Sequence, residues 1–291
     1  MPVIHEFAPA KINLTLEVLG KRADGYHELR SLVAFAGEGD VLTLDTSLPV
    51  GVTASGPFAT SIAGANLIDT TLNLIARTTP GLQLGAVHLQ KNLPVAAGIG
   101  GGSADAAAVI RAVQRANPHS SSDVDWTALA IGIGADVPVC LASRLSWMCG
   151  LGERVVPLHL TTPLALPAVI VNPLVPVPAD KTAQVFRALR AGPLPASGVS
   201  TDLPKIPHAE ALLPTVHAGH NSLERPCREI VPAVAQVLEA LAALPGATVA
   251  RMSGGGPTCF ALFGDDASAS AAAAQLEEQH PRWWVRATAL R

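Results

Sequence analysis

"PVAAGIGGGSADAAAVIRAV", residues 94–113, crowds Gly98, Gly100, Gly101 and Gly102 into a short loop directly ahead of an alanine-rich run. Alanine is the strongest helix former, so a helix follows the glycines, and Asn117-Pro118 stops it. Glycines ahead of a helix let backbone N–H groups approach an anion closely, while the unpaired amides of the first turn point at it. The loop is therefore expected to cradle a phosphate or pyrophosphate; a tight structural turn is the alternative. Ser103 is expected to cap the helix, with Asp105 in its first turn facing the positive end of the helix dipole.

Two common phosphate loops are excluded. The pattern G-x-x-x-x-G-K-[ST] is absent, because Ser103 is followed by Ala104 and no lysine closes the loop. The dinucleotide fingerprint fails as well, since counting from Gly98 its last glycine position holds Ser103.

Outward from the loop, residues 11–19, "KINLTLEVL", alternate strictly and predict a half-buried strand with Lys11, Asn13, Thr15 and Glu17 on the polar face. Asp24-Gly25 is turn chemistry, and extended residues resume through "RSLVAF". Strands are expected at 41–45 and 86–90, with an amphipathic helix at 66–77 between them. A second helix over 123–131 ends in "GIGADVP", after which "VPVCLA" reads as a strand. From residue 155 the sequence is proline-punctuated and extended, then helical over 180–190. Residues 191–219 read as a surface loop. A helix over 226–243, strands at 247–251 and 258–263, a helix over 266–279 and a final strand complete a βαβ-like half. This mixture predicts two α+β domains, 1–155 and 156–291.

The chain has 291 residues, 49% of them hydrophobic and 15% charged, which excludes a disordered, solvating sequence. A net charge of −3 with scattered Lys and Arg leaves no basic stripe for nucleic acid. Cys140, Cys149, Cys227 and Cys259 form no C-x-x-C pair and read as isolated reduced thiols. No targeting segment and no run of 18 apolar residues is visible, so a cytoplasmic protein with no membrane partner is expected.

The loop "PVAAGIGGGSADAAA" resembles the second signature of the GHMP kinases, small-molecule kinases whose glycine loop is unrelated to the P-loop. "APAKINLTLEVLGKRADGYHEL" at 8–29, "GIGADVPVCL" at 132–141 and "MSGGGPTCFALF" at 252–263 extend the resemblance, in the right order, through most of the chain. "KINL…DGYHEL" is similar to members that phosphorylate the 2-hydroxyl of a cytidine-diphosphate-linked methylerythritol in the non-mevalonate isoprenoid pathway. The resemblance implies a two-domain GHMP kinase fold: an N-terminal α/β domain with the glycine loop, a C-terminal ferredoxin-like α+β domain, and an active site in the cleft between them. It implies ATP and Mg²⁺, that cytidyl compound as small-molecule substrate, and no nucleic acid.

It also implies roles. Asp136 stands where the family places the aspartate that accepts the hydroxyl proton; by itself it reads as a turn cap. Lys11, beside Asn13, would lower the pKa of Asp136 and offset phosphoryl charge. Tyr26 and His27 would stack on the cytosine and read its polar edge, with Phe186 the opposing aromatic. Pro94, Gly98, Gly100, Gly101, Gly102 and Ser103 would surround the phosphates; Asn66 and Lys91 lie on the adenosine side; Gly254 and Gly255 close near the phosphates. The metal ligands stay unassigned. Departures from the family pattern fall at Ala104, Ser222 and Pro257, where substrate contacts are the feature affected.

Overall fold

A computed structural model describes residues 3–62, 66–162, 164–195 and 202–291. In chain order the elements are β1 (Ile4–Lys21), β2 (His27–Asp45), β3 (Gly51–Ser55), α1 (Leu67–Thr78), β4 (Ala86–Gln90), α2 (Gly101–Ala116), α3 (Trp126–Ile133) and α4 (Val137–Ala142), followed by β5 (Ser146–Gly150), β6 (Arg154–Pro157), β7 (Leu166–Asn172), α5 (Lys181–Leu189), α6 (Ala209–Ala218), α7 (Glu224–Ile230), α8 (Ala233–Ala242), β8 (Val249–Met252), β9 (Cys259–Leu262), α9 (Asp266–Gln279) and β10 (Trp284–Leu290). The turn between β1 and β2 is built on Asp24, whose Oδ1 accepts the Tyr26 N–H at 3.1 Å, and on Gly25 with φ +89°.

Contacts divide the chain into two compact units that are not sequential. The first holds residues 1–11, 38–95 and 100–143; the second holds 12–37, 96–99 and 144–291. A single cut at residue 155 does not follow them, because β1 and β2 each run from one unit into the other.

In the first unit, the end of β2 pairs antiparallel with β4, and β3 pairs parallel with β4. Helix α2 buries Ala104, Ala106, Ala107, Ala108, Val109, Ile110, Ala112 and Val113, so it is apolar on more than one stripe. Such a helix belongs inside a core, and it packs against α1 and α4. "VPVCLA", expected as a strand, is α4: Pro138 sits at the helix start, where its missing N–H costs nothing, and Val137, Pro138, Val139 and Cys140 are buried. Short buried apolar runs do not distinguish helix from strand by period.

The second unit carries β7, β8, β9 and β10 in one antiparallel sheet of order β10-β7-β9-β8. With helices between β7 and β8 and between β9 and β10, this is the βαββαβ arrangement of ferredoxin-like domains. Val169, Val171, Ala261, Leu238, Leu241 and Leu276 belong to its core cluster, and each buried Leu or Val contributes about 1.5–3 kcal/mol relative to exposure. The stretch 226–243 is two helices, not one, because Pro232 lacks an N–H and begins a new helix. Part of the expected loop 191–219 is α6, which buries Leu212 and Val216 one turn apart around Pro214; residues 196–201 of that stretch lie outside the described residues.

Candidate active site

The first unit presents two charged clusters near the start of α2. Gly100 is the N-cap residue, in the left-handed region at φ +65°. The conformation favours glycine, and a Cβ there would also sit tightly against the lysine, 3.1 Å from Lys11 Cε. The first helical bond runs from Ala104 N–H to the Gly100 carbonyl at 2.8 Å, which leaves the amides of Gly101, Gly102 and Ser103 outside the ladder. Ser103 makes no capping bond: it is the third residue of the helix, and Gly100 occupies the position expected for it.

Lys11 Nζ lies 3.0 Å from Asp136 Oδ2, with side-chain exposures of 4% and 34%. Strand β1 delivers Lys11 from a face that is polar in sequence yet buried, together with Asn13 and Thr15. The alternation of residues 11–19 predicted a half-buried strand; here Lys11, Asn13 and Thr15 on its polar face are buried as well. Asp136 occupies the N-cap position of α4 but makes no side-chain cap bond there.

Asp105, expected at the helix dipole, is instead buried and bound to Lys91 at 2.7 Å, and Lys91 also contacts Asp40 at 2.6 Å. Asp40 accepts further bonds from the backbone N–H of Asn92 and Leu93, whereas Asp105 Oδ1 has no hydrogen-bond partner among the described residues. One ammonium serves two carboxylates, so the pair is not fully neutralised. Burial first, and then Asp40, push Asp105 up to about 7, while the two carboxylates hold Lys91 in its charged form against burial. A Cβ at Gly101 would meet Lys91 Nζ at 3.2 Å, so this triad lies directly against the loop. Asn66 caps α1, its Oδ1 accepting the Asp69 N–H at 2.9 Å.

In the second unit, His27 and Phe186 stack at 4.9 Å between ring centroids and 25° between planes. Burial and then Lys21 lower the His27 pKa, which favours the neutral ring. Tyr26 is 64% exposed. Phe186 thus faces His27, while Tyr26 presents its ring to solvent. Asn13 donates to Ser31 Oγ at 2.7 Å, and its own N–H donates to Ser253 Oγ at 3.1 Å. Ser253 in turn donates to the Gly98 carbonyl at 3.2 Å, and Thr258 N–H reaches the Ala97 carbonyl at 3.1 Å. The "SGGG" turn is therefore bonded to residues 97–98 of the glycine loop. A Cβ at Gly254, φ +53°, would sit 2.6 Å from the Gly98 carbonyl oxygen; at Gly255 it would meet only Thr182, at 3.7 Å.

Sequence reasoning gave no role to Asn221, whose Nδ2 donates to the Met252 and Gly254 carbonyls at 2.7 and 2.9 Å. Nor did it find Arg251, whose guanidinium binds the carbonyls of Leu14, Val216 and Gly219. Both serve carbonyls far away in the chain, for which no local pattern exists. Pro94, which opens the loop, is buried.

These residues suit a phosphorylated ligand: glycine amides outside the helix ladder, space that a Cβ would fill, and the Lys11–Asp136 pair beside them. Among the described residues no group of three or more His, Cys, Asp or Glu could hold a metal.

The profile "GHMP kinases N terminal domain" matches residues 66–144, and "GHMP kinases C terminal" matches 208–282. A 4-diphosphocytidyl-2-C-methyl-D-erythritol kinase from Methylobacterium radiotolerans is 47% identical, covering 100% of this chain and of its own. One from Bradyrhizobium sp. (strain BTAi1) is 45% identical, covering 99% of this chain and 96% of its own. A crystal structure of 4-(cytidine 5'-diphospho)-2C-methyl-D-erythritol kinase matches with a TM-score of 0.75 at 35% identity over 99% of both chains. Homoserine kinase from Cytophaga hutchinsonii, at 18% identity and TM-score 0.66 over 99% of this chain and 95% of its own, shares the fold. Fold, loop and catalytic-type pair thus describe a small-molecule kinase of the GHMP class. Within that class the chain belongs to the 4-diphosphocytidyl-2-C-methyl-D-erythritol kinase family.

Proposed function

We propose that this protein transfers the γ-phosphoryl group of ATP to the 2-hydroxyl of 4-diphosphocytidyl-2-C-methyl-D-erythritol, in the cytoplasm, as a step of the methylerythritol phosphate route to isoprenoid precursors. The observation that carries the chemistry is the 3.0 Å approach of Lys11 Nζ to Asp136 Oδ2 beside the left-handed Gly100. Phosphoryl transfer asks a protein mainly for positioning, for charge, and for a group that takes the proton of the attacking hydroxyl.

Asp136 takes that proton, since a third of its side chain is open to an incoming hydroxyl. Lys11 holds the carboxylate in place and offsets charge on the transferring group. Gly100, Gly101, Gly102 and Ser103 offer backbone amides to the phosphates, with Pro94 and Gly98 shaping the loop and Gly254 and Gly255 buttressing it. Asn66 and Lys91 border the adenosine side, Lys91 through its triad. Mg²⁺, when bound, would neutralise charge on the phosphates. His27 and Phe186, with Tyr26 and Asn13, receive the cytosine; their stacked rings are a ready platform for a flat base.

The test is ADP release by the purified protein with ATP and Mg²⁺, offering the cytidyl substrate beside homoserine, mevalonate and galactose. Turnover confined to the cytidyl compound is expected. Turnover on another acceptor would overturn the base-binding role while keeping the kinase chemistry.

A further inference from the structure

Lys181 opens α5 and is 3% exposed. Its ammonium donates to the carbonyl of Ala96 at 3.2 Å and to that of Gly256. Both acceptors are backbone, and neither cancels a charge. Ionised groups on the elements around it are engaged elsewhere or distant in effect. Asp180, on its own helix, binds Gln184 and Arg187. Glu224, on α7, accepts the Met252 N–H. Cys227, also on α7, has its thiol pushed up to about 11, chiefly by burial, and so stays neutral. Residues 96–99 and 253–256 carry no titratable side chain. Burial lowers Lys181 itself to about 8.

An ammonium without a carboxylate partner is a costly thing to bury. Its place explains why it is there. Ala96, which it grips, is a non-glycine residue at φ +54°, a conformation that costs about 1–2 kcal/mol and has to be held by its surroundings. Two positions later the chain reaches Gly98 and then enters the glycine loop. Gly256, its other acceptor, ends the turn whose Ser253 hydroxyl binds the Gly98 carbonyl. Positive charge in a low-dielectric setting acts at longer range than in water.

We propose that Lys181 is a positioning residue for nucleotide binding: an ammonium with no carboxylate partner among the described residues, which fixes Ala96 at the entry to the glycine loop and adds positive potential for the triphosphate. The inference rests on the reading of that loop as the ATP site. It has a thermodynamic signature. A polyanion bound nearby raises the proton affinity of the lysine, and by linkage protonation raises the affinity for the anion. Near pH 8 the free protein is partly deprotonated at Lys181, so binding takes up protons there. Nucleotide phosphates, whose last pKa is about 6, contribute little at that pH.

The experiment is calorimetric titration of MgATP, without acceptor, into wild type, Lys181→Met and Lys181→Arg at pH 7, 8 and 9, in two buffers of different ionisation heat. Wild type is expected to take up about half a proton at pH 8 and to bind more weakly from pH 7 to 9. K181M should bind about tenfold more weakly at pH 7, with no pH limb and no uptake, and K181R should hold its affinity through pH 9. Affinity of folded K181M within about twofold of wild type, or uptake that persists in it, overturns the proposal. Should K181M fail to fold, wild type decides alone, since absence of uptake at pH 8 also overturns it. Wild type that binds no MgATP overturns the reading of the loop itself, and that failure is seen before any substitution is made.

Discussion

Asp136 is the side chain to which the proposed function gives the proton transfer. Replacing it with Asn keeps an oxygen for Lys11 but removes the base, and kcat is expected to fall by about 10²–10⁴-fold. Steady-state kinetics read the loss, and an unchanged far-UV spectrum shows that the fold is retained; an active, folded D136N would remove Asp136 from the role. His27 carries a second expectation. Its pKa lies below the ordinary imidazole value, mainly because it is partly buried. The unfolded chain therefore takes a proton before the folded one as pH falls, and stability from the neutral ring is lost below the usual imidazole range. The KM for the cytidyl acceptor should be flat between pH 7 and 8 and rise on acidification, whereas His27→Ala should raise it at all pH values and leave the KM for ATP unchanged.

Helix α2 is where sequence and structure agree on the element and differ on its anchoring. Glycine conformation and alanine propensity are local properties, so the loop and helix were legible from residues 94–113. The triad of Lys91, Asp40 and Asp105 was not, because its members come from a strand, a helix and the segment just after β4 and share no spacing. Removing the cation leaves two buried carboxylates unpaired, so Lys91→Met is expected to cost about 3–5 kcal/mol. Asp105→Asn should be mild by comparison. The folded-state pKa of Asp105 is raised, to about 7, so its contribution is fully present below the carboxylate's unfolded value and fades as pH rises through 7. Denaturant titrations at pH 5 and pH 8 should show wild type losing stability relative to D105N at the higher pH; parallel behaviour would contradict the assignment of the proton to Asp105. Elsewhere the misread elements share a cause. In α4 and α6, and at the break between α7 and α8, proline and short buried runs blur the period on which pattern reading depends.

Across the whole chain, the family motifs carried the functional reading further than periodicity did, since they mark residues by chemistry rather than by burial. The candidate catalytic pair, the proposed base-binding residues and the glycine loop were all named from sequence; Arg251, Asn221 and Lys181 were not, because each works by holding carbonyls remote in the chain. The four cysteines have a different consequence. All are buried and free of disulfides, and burial raises the pKa of each thiol. A thiolate is the species that alkylating reagents attack. The native protein should therefore resist iodoacetamide at neutral pH and react at four sites once denatured. Mass spectrometry of the label would then time the opening of each cysteine's surroundings: Cys140 in the first unit, and Cys149, Cys227 and Cys259 in the second. The chain thus carries its own chemical clock for the unfolding of its two halves.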